Sequence, residues 1–254
     1  MKKNTLLLSL IIGPLCYAGS DIEIIYDFWE NSFPTITTTF ADGDEGWFGP
    51  NGLGGVSGIE ETGGNPDEHL MTDFDIFGIN FRNTRNPDFV FDYTLYPEIL
   101  ISIYVKVYSI NSSNIEEPRP WLVEIRDYNE PGSEFPWTSV WYLWGDISQE
   151  TTNDWTRFTV LIEDTSVTEL PPGWGGYGAE DEFGNPSLPR GRTFADVLAN
   201  MDEISFNTLM PGNSYTDSRF QVRVDNISIG TDLIFDDSFE SIPRRNDGVR
   251  WVKY

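Results

Sequence analysis

Three acidic and two aromatic residues have types and settings that could do chemistry. Asp42 and Asp44 lie two apart in the glycine turn "DGDE", and Asp225 interrupts the strand-like stretch "RFQVRVDNISI". Calcium takes six to eight oxygens from carboxylates, amides and carbonyls, so these acids are candidate calcium ligands. No EF-hand spacing is present, and a plainer reading stands beside it, in which Asp225 is a bulge acid facing water and "DGDE" an ordinary turn. Trp174 and Tyr177 sit in "PPGWGGYG". Rings exposed on such a loop would offer a platform for the apolar faces of a sugar. The alternative for that loop is a flap folded over a sheet edge.

Catalytic groups are scarce. His69 is the one histidine and lies beside Asp67 and Glu68 in what reads as a turn, a setting that predicts a solvated side chain. No Gly-x-Ser-x-Gly elbow, zinc-protease helix or phosphate loop occurs. Glu180 and Glu182 in "AEDEFGNP" come nearest to the carboxylate pair a glycosidase sets across a sugar. In an acidic loop of this kind a solvated charge run is the preferred reading.

The elements that must position these residues are strands, because the apolar period is two. In "EILISIYVKVY", Ile99, Ile101, Ile103, Val105 and Val107 share one face, with Glu98, Ser102 and Lys106 on the other. "WLVEIRD" turns Trp121, Val123 and Ile125 inward and Glu124 and Arg126 outward. "TITTTFA", "SVWYLW", "RFTVLIE" and "DEISF" complete the set, separated by turns rich in Gly, Pro and Asn. In the stretch around Asp225 the alternation of Phe220, Val222 and Val224 changes parity before Ile227 and Ile229. One helix is expected at 193–201. Phe194, Val197, Leu198 and Met201 fall at helical spacing, Thr193 is an N-cap, and Asp196 lies near the positive end of the dipole. The preceding loop is long and rich in Gly and Pro, a type that is usually functional or disordered.

Residues 1–18 read as a cleaved export signal. Lys2 and Lys3 precede an apolar run, and "CYA" ends in the small residue a signal peptidase reads. Cleavage after Ala18 removes Cys16, the single cysteine, and with it any disulfide or thiolate chemistry. It also takes the net charge from −25 to −27. Such a surface repels nucleic acid and anionic membranes and favours divalent cations. No later segment is long and apolar enough to span a bilayer.

Five stretches resemble laminin-B-type and carbohydrate-binding-module-like jelly rolls, in the expected order. They are "FADGDEGW" (40–47), "ETGGNPDEHL" (61–70), "DWTRFTV" (154–160), "TFADVLANMDEISF" (193–206) and "RVDNISI" (223–229). Two positions depart from the pattern. Ala41 stands where carbohydrate-binding relatives often carry an acid, and "DEH" (67–69) replaces a Gly-Gly-Tyr. The stretch "DLIFDDSFES" (232–241) resembles a short C-terminal motif of exported Gram-negative proteins. The resemblance implies a jelly roll in which the first and last strands lie close, bringing Asp42 and Asp44 to Asp225 around one structural calcium. It also implies an adhesive or sugar-binding role more often than a catalytic one.

The sequence thus predicts an all-β jelly-roll sandwich of two antiparallel sheets over 19–232, with a leader at 1–18 and a C-terminal extension at 233–254. Its expected role is that of a secreted or cell-surface binding protein for glycan or extracellular matrix, stabilised by calcium. A polysaccharide lyase or glycoside hydrolase on the same scaffold, and a self-associating surface protein, are the alternatives.

Overall fold

The computed structural model describes residues 33–231, apart from 130, 132 and 133. The expected leader and C-terminal extension lie outside the described residues. The strands run β1 (Ile36–Thr38), β2 (Trp47–Phe48), β3 (Gly55–Gly64), β4 (Asp67–Ile76) and β5 (Asn80–Asn83). After a 3-10 turn at Tyr93–Leu95 come β6 (Ile99–Ser112), β7 (Ile115–Glu116), β8 (Arg119–Asp127), β9 (Thr138–Ile147) and β10 (Thr156–Ile162). Then follow β11 (Trp174–Tyr177), β12 (Ala179–Glu180), β13 (Pro186–Ser187), helix α1 (Phe194–Ala199), β14 (Glu203–Asn207) and β15 (Ser218–Gly230).

These strands form the predicted antiparallel jelly-roll sandwich. The first sheet is ordered β10-β6-β15-β4-β3, with β1 also on β15 and β7 on β6; the second is β11-β9-β8-β14-β5-β2. The alternating side chains read from the sequence meet between them. Ile99, Ile101, Ile103, Val105 and Val107 from β6, and Val222 and Val224 from β15, pack in one core with Trp121, Val123 and Ile125 from β8 and Phe206 from β14. Each such side chain removed from water contributes about 1.5–3 kcal/mol. Helix α1 adds Phe194, Val197 and Leu198 to that core. Its capping box is complete: the Asp196 amide donates to Thr193 Oγ1, and Asp196 Oδ2 accepts from the Thr193 amide. Among the described residues, no helix is long and apolar enough to cross a membrane.

The parity change in β15 is a bulge. Asp225 pairs with Tyr104 and Ser228 with Ser102, so the register against β6 shifts between them. Asn226 takes the left-handed φ of 47°, and Ile227 and Ile229 return to the core.

Two sequence expectations are corrected. Residues 61–70 hold more than a turn: β3 and β4 form a long hairpin closed by the Gly64–Asp67 pair, with a cis Asn65–Pro66 bond. His69 therefore lies in a strand, 2% exposed, with Nε2 at 2.9 Å from Glu60 Oε2 and its ring edge-on to Trp155. The Gly- and Pro-rich loop before α1 is also partly structured, since β11 extends the second sheet along β9.

Candidate functional site

In β8, Trp121, Val123 and Ile125 face the core, which turns Glu124 and Arg126 to the other face of the second sheet. Cross-strand pairing sets their company. Glu124 lies opposite Trp141 of β9 and Ser205 of β14, and Arg126 opposite Ser139 and Glu203. Arg82 of β5 pairs with Ser205, and Tyr177 of β11 with Ser139. The sequence marks Glu124 and Arg126 as outward, yet they and Glu203 are only 2%, 4% and 1% exposed.

A dense set of hydrogen bonds compensates that burial, although the buried Arg126 Nε has no partner. Arg126 donates through one terminal nitrogen to Glu203 Oε1 at 2.6 Å and through the other to Glu124 Oε2 at 2.5 Å. Glu124 Oε1 accepts from Ser139 Oγ at 2.6 Å and Trp137 Nε1 at 3.0 Å, and Oε2 also accepts from Asn207 at 3.1 Å. Glu203 Oε2 accepts from the Tyr128 hydroxyl at 3.0 Å. Burial alone would raise the Glu124 carboxyl, but the Arg126 charge and the bonds from Arg126, Ser139 and Trp137 outweigh it and hold the group below its ordinary value. Burial opposes the charge on Arg126 too, and the two carboxylates keep it firmly protonated.

Aromatic rings stand over this polar floor. The Arg126 guanidinium lies 4.2 Å from the centre of the Trp137 ring. Trp137 meets Tyr128 edge-on at 5.9 Å and Tyr177 at 5.9 Å, and Phe135 closes on Tyr177 at 5.2 Å. A second ring lies beside them. Trp141 covers Gly175, where a Cβ would come within 2.1 Å of the indole. Trp137, Trp141 and Tyr177 are half-buried and Tyr128 is exposed.

The arrangement is suited to holding a ligand rather than to moving protons. Glu124 is held ionised and occupied by four donors. Tyr128, raised first by burial and then by Glu203, keeps its proton at neutral pH. Neither offers the free acid or base that glycosidic cleavage requires.

The sequence candidates divide. Tyr177 belongs to the aromatic group, whereas Trp174 does not. It is 8% exposed and packs on Phe194 at 5.1 Å and Tyr142 at 5.6 Å. Core burial was not expected of so glycine-rich a loop, but pairing with β9 turns the indole inward. Glu180 and Glu182 are exposed, in a hairpin whose turn is tied by Asp181 to the Phe183 and Asn185 amides. Trp137 and Trp141 lie beside and within "SVWYLW", whose apolar residues fall on both parities and give neither ring a face in the sequence. The sequence does not place Glu124, Arg126 and Glu203 in a site, since alternation gives a side chain's face but not what covers it.

The three acids put forward as calcium ligands occupy two places. Asp42 and Asp44 are exposed, and Asp44 Oδ1 accepts from the Gly46 amide. Between them and the sheet, Glu45 accepts from Thr38 and is raised chiefly by burial. Asp225 is fully buried under the β3–β4 turn. Its Oδ2 accepts from the Asn65 amide at 2.6 Å and Oδ1 from the Asn226 amide at 2.7 Å. Burial pushes it up to about 7 despite those bonds, and Glu68 adds to the rise. Among the described residues, no Lys, Arg or His is ion-paired to it. No three His, Cys, Asp or Glu side chains there converge as a metal site. Beside Gly64, however, the Asp67 and Glu68 carbonyls and Asp225 Oδ2 surround the point a Cβ would fill, at 2.7, 2.5 and 2.9 Å. Carboxylate and carbonyl oxygens are the donor types calcium takes, and here a buried carboxylate without a counter-ion lies beside two backbone carbonyls.

No family model matches the chain, and no curated protein does. Among solved structures it is similar to a family 11 carbohydrate-binding module from Clostridium thermocellum in complex with a β-1,3-1,4-mixed-linked tetrasaccharide. The two share 15% identity and a TM-score of 0.42 over 77% of this chain and 94% of that one. It is also similar to the CBM22-1–GH10 modules of C. thermocellum xylanase 10B complexed with xylohexaose (13%, TM-score 0.42) and to an exo-β-agarase (12%, TM-score 0.44). It spans only 30% of the xylanase chain and 25% of the agarase chain. Carbohydrate-binding modules are thus among its structural neighbours, while the laminin-B side of the resemblance is not shown. At these scores function has to be read from the site itself.

Proposed function

We propose that this protein is an exported, non-catalytic binding protein that holds a glycan on the outer face of its second sheet. The observation that carries the reading is the seating of Trp137, fixed by its own hydrogen bond to Glu124 and by the guanidinium beneath it. Tyr128 and Tyr177 flank it, and Trp141 stands farther along β9, opposite Glu124. Rings fixed before the ligand arrives lose little freedom on binding, and sugar rings present apolar C–H faces to them. The hydroxyls and amide along the floor are already paired, so the rings supply the free contact surface.

The test is retention of the purified full chain on insoluble and gel-forming polysaccharides, with released reducing ends assayed in the supernatant. Retention without release, weakened at least about tenfold by Trp137→Ala (a hot-spot loss of more than about 1.4 kcal/mol), is the expected result. Retention unaffected by Trp137→Ala and Trp141→Ala together would place binding elsewhere.

We also propose that a structural calcium ion sits at Asp225, with Glu68 and the carbonyls of the β3–β4 turn as further donors and without Asp42 and Asp44. The ion would supply the positive charge that the buried carboxylate lacks.

A further inference from the structure

Resting on the glycan-binding reading, the geometry points to an acidic polysaccharide as the ligand, with Arg82 as the residue that recognises its anionic substituent. Two guanidiniums lie on the outer face of the second sheet, and they differ in what they have left to give. Arg126 is buried, and both its terminal nitrogens are committed to carboxylates at 2.5 and 2.6 Å. Arg82 has 34% of its side chain exposed, and its nearest carboxylate oxygen, Glu203 Oε2, is 3.7 Å away. That oxygen already accepts from Tyr128, while its partner Oε1 takes Arg126. The Nε atoms of both arginines are buried without a partner and are closed to a ligand, which leaves the terminal nitrogens of Arg82 as the donors it can offer. Its guanidinium is nonetheless held in place, stacked 4.6 Å from the centre of the Phe48 ring, its cross-strand neighbour.

A fixed, partly solvated guanidinium with free donors is matched by a carboxylate or sulfate, whose oxygens accept two N–H groups side by side. Position supports the same conclusion. Arg82, Ser205, Glu124 and Trp141 form one row across β5, β14, β8 and β9, three strand spacings or about 14 Å. A chain lying across the strands would rest one ring on Trp141 and present a substituent several rings away to Arg82. Glu124 and Glu203 offset the two guanidiniums, while Glu180 near Tyr177 and Asp202 at the Tyr128 amide add negative charge at the far end of the face from Arg82. The large negative charge elsewhere acts only weakly on the site, because charges more than about 8 Å away are screened at physiological salt.

The experiment measures affinity of the full chain and of Arg82→Gln for polygalacturonate, for its carboxyl-reduced neutral form, and for carrageenan as a sulfated polymer. The expected result is that polygalacturonate or carrageenan binds more tightly than the neutral polymer, and that Arg82→Gln lowers that affinity roughly tenfold to a hundredfold (one charge-assisted pair). The preferred acidic polymer identifies the anionic group. Binding of the neutral polymer by Arg82→Gln at wild-type strength shows that the variant is folded and that only the charge contact is lost. Equal affinity for acidic and neutral polymers, or an unchanged acidic affinity in the variant, overturns the role of Arg82 and leaves glycan binding standing. Failure of the wild-type chain to retain any glycan overturns both.

Discussion

Two buried carboxylates, Asp225 and Glu124, give opposite dependences of stability on pH because one has a cation beside it and the other does not. Asp225 ordinarily titrates at 3.8 and is pushed up to about 7 in the fold. Between those values the metal-free fold binds a proton that the unfolded chain has released. Stability therefore falls as pH rises through that window, by up to about 4 kcal/mol at 1.36 kcal/mol per unit. Calcium at the site would remove the penalty. In chelator, the melting temperature is expected to drop between pH 5 and pH 8, and Asp225→Asn should flatten the drop. A flat wild-type profile in chelator would contradict the reading. Glu124 is depressed instead, so its contribution is complete above the ordinary carboxylate range and is lost as pH falls through the folded value. Glu124→Gln leaves Arg126 with one carboxylate where it had two. A broken buried pair typically costs about 3–5 kcal/mol, and denaturant unfolding at pH 7 measures it. A loss below 1 kcal/mol (about what an exposed pair is worth) would mean that Glu124 and Arg126 are not the buried, mutually bonded pair described.

At the scale of elements, legibility followed packing. β6 was plain in the sequence because five apolar residues alternate without a break and all five are buried. The parity change in β15 likewise marked its bulge. The β3–β4 hairpin was missed because "GVSGIEETGG" carries little apolar alternation and Val56, one of its two large apolar residues, is 55% exposed. β11 was missed for a related reason: two of its four residues are glycine, which lowers strand propensity. The gain from one of those glycines lies in the site. Gly175→Ala would put a Cβ 2.1 Å from the Trp141 ring. Since that atom belongs to a side chain, the ring should tilt away from the sheet. The expected outcome is a modest loss of stability, about 1–3 kcal/mol as for other overpacked sites, with a larger loss of glycan retention. Wild-type retention by the variant would show that Trp141 is not a contact ring.

At the scale of the molecule, 41 acidic residues face 16 basic ones, and among the described residues most basic side chains other than Arg82 already have a carboxylate partner. The excess negative charge repels itself across a compact fold and opposes stability. Salt weakens that repulsion, since the screening length falls from about 30 Å at 0.01 M to about 8 Å at 0.15 M. Sodium chloride alone should therefore raise the melting temperature, and Asp225→Asn should show the same rise. Calcium adds to this only if it occupies a site. At a hundred times its dissociation constant a bound ion contributes about 2.7 kcal/mol. For a chain of this size that is roughly 5–11 °C, at 2–4 °C per kcal/mol. The decisive comparison is millimolar calcium against sodium chloride of equal ionic strength, in the wild-type chain and in Asp225→Asn. An increment specific to calcium and absent from the variant locates the ion at Asp225. An equal increment in both would assign calcium's effect to the diffuse acidic surface, and the buried carboxylate would then owe its stability to holding a proton.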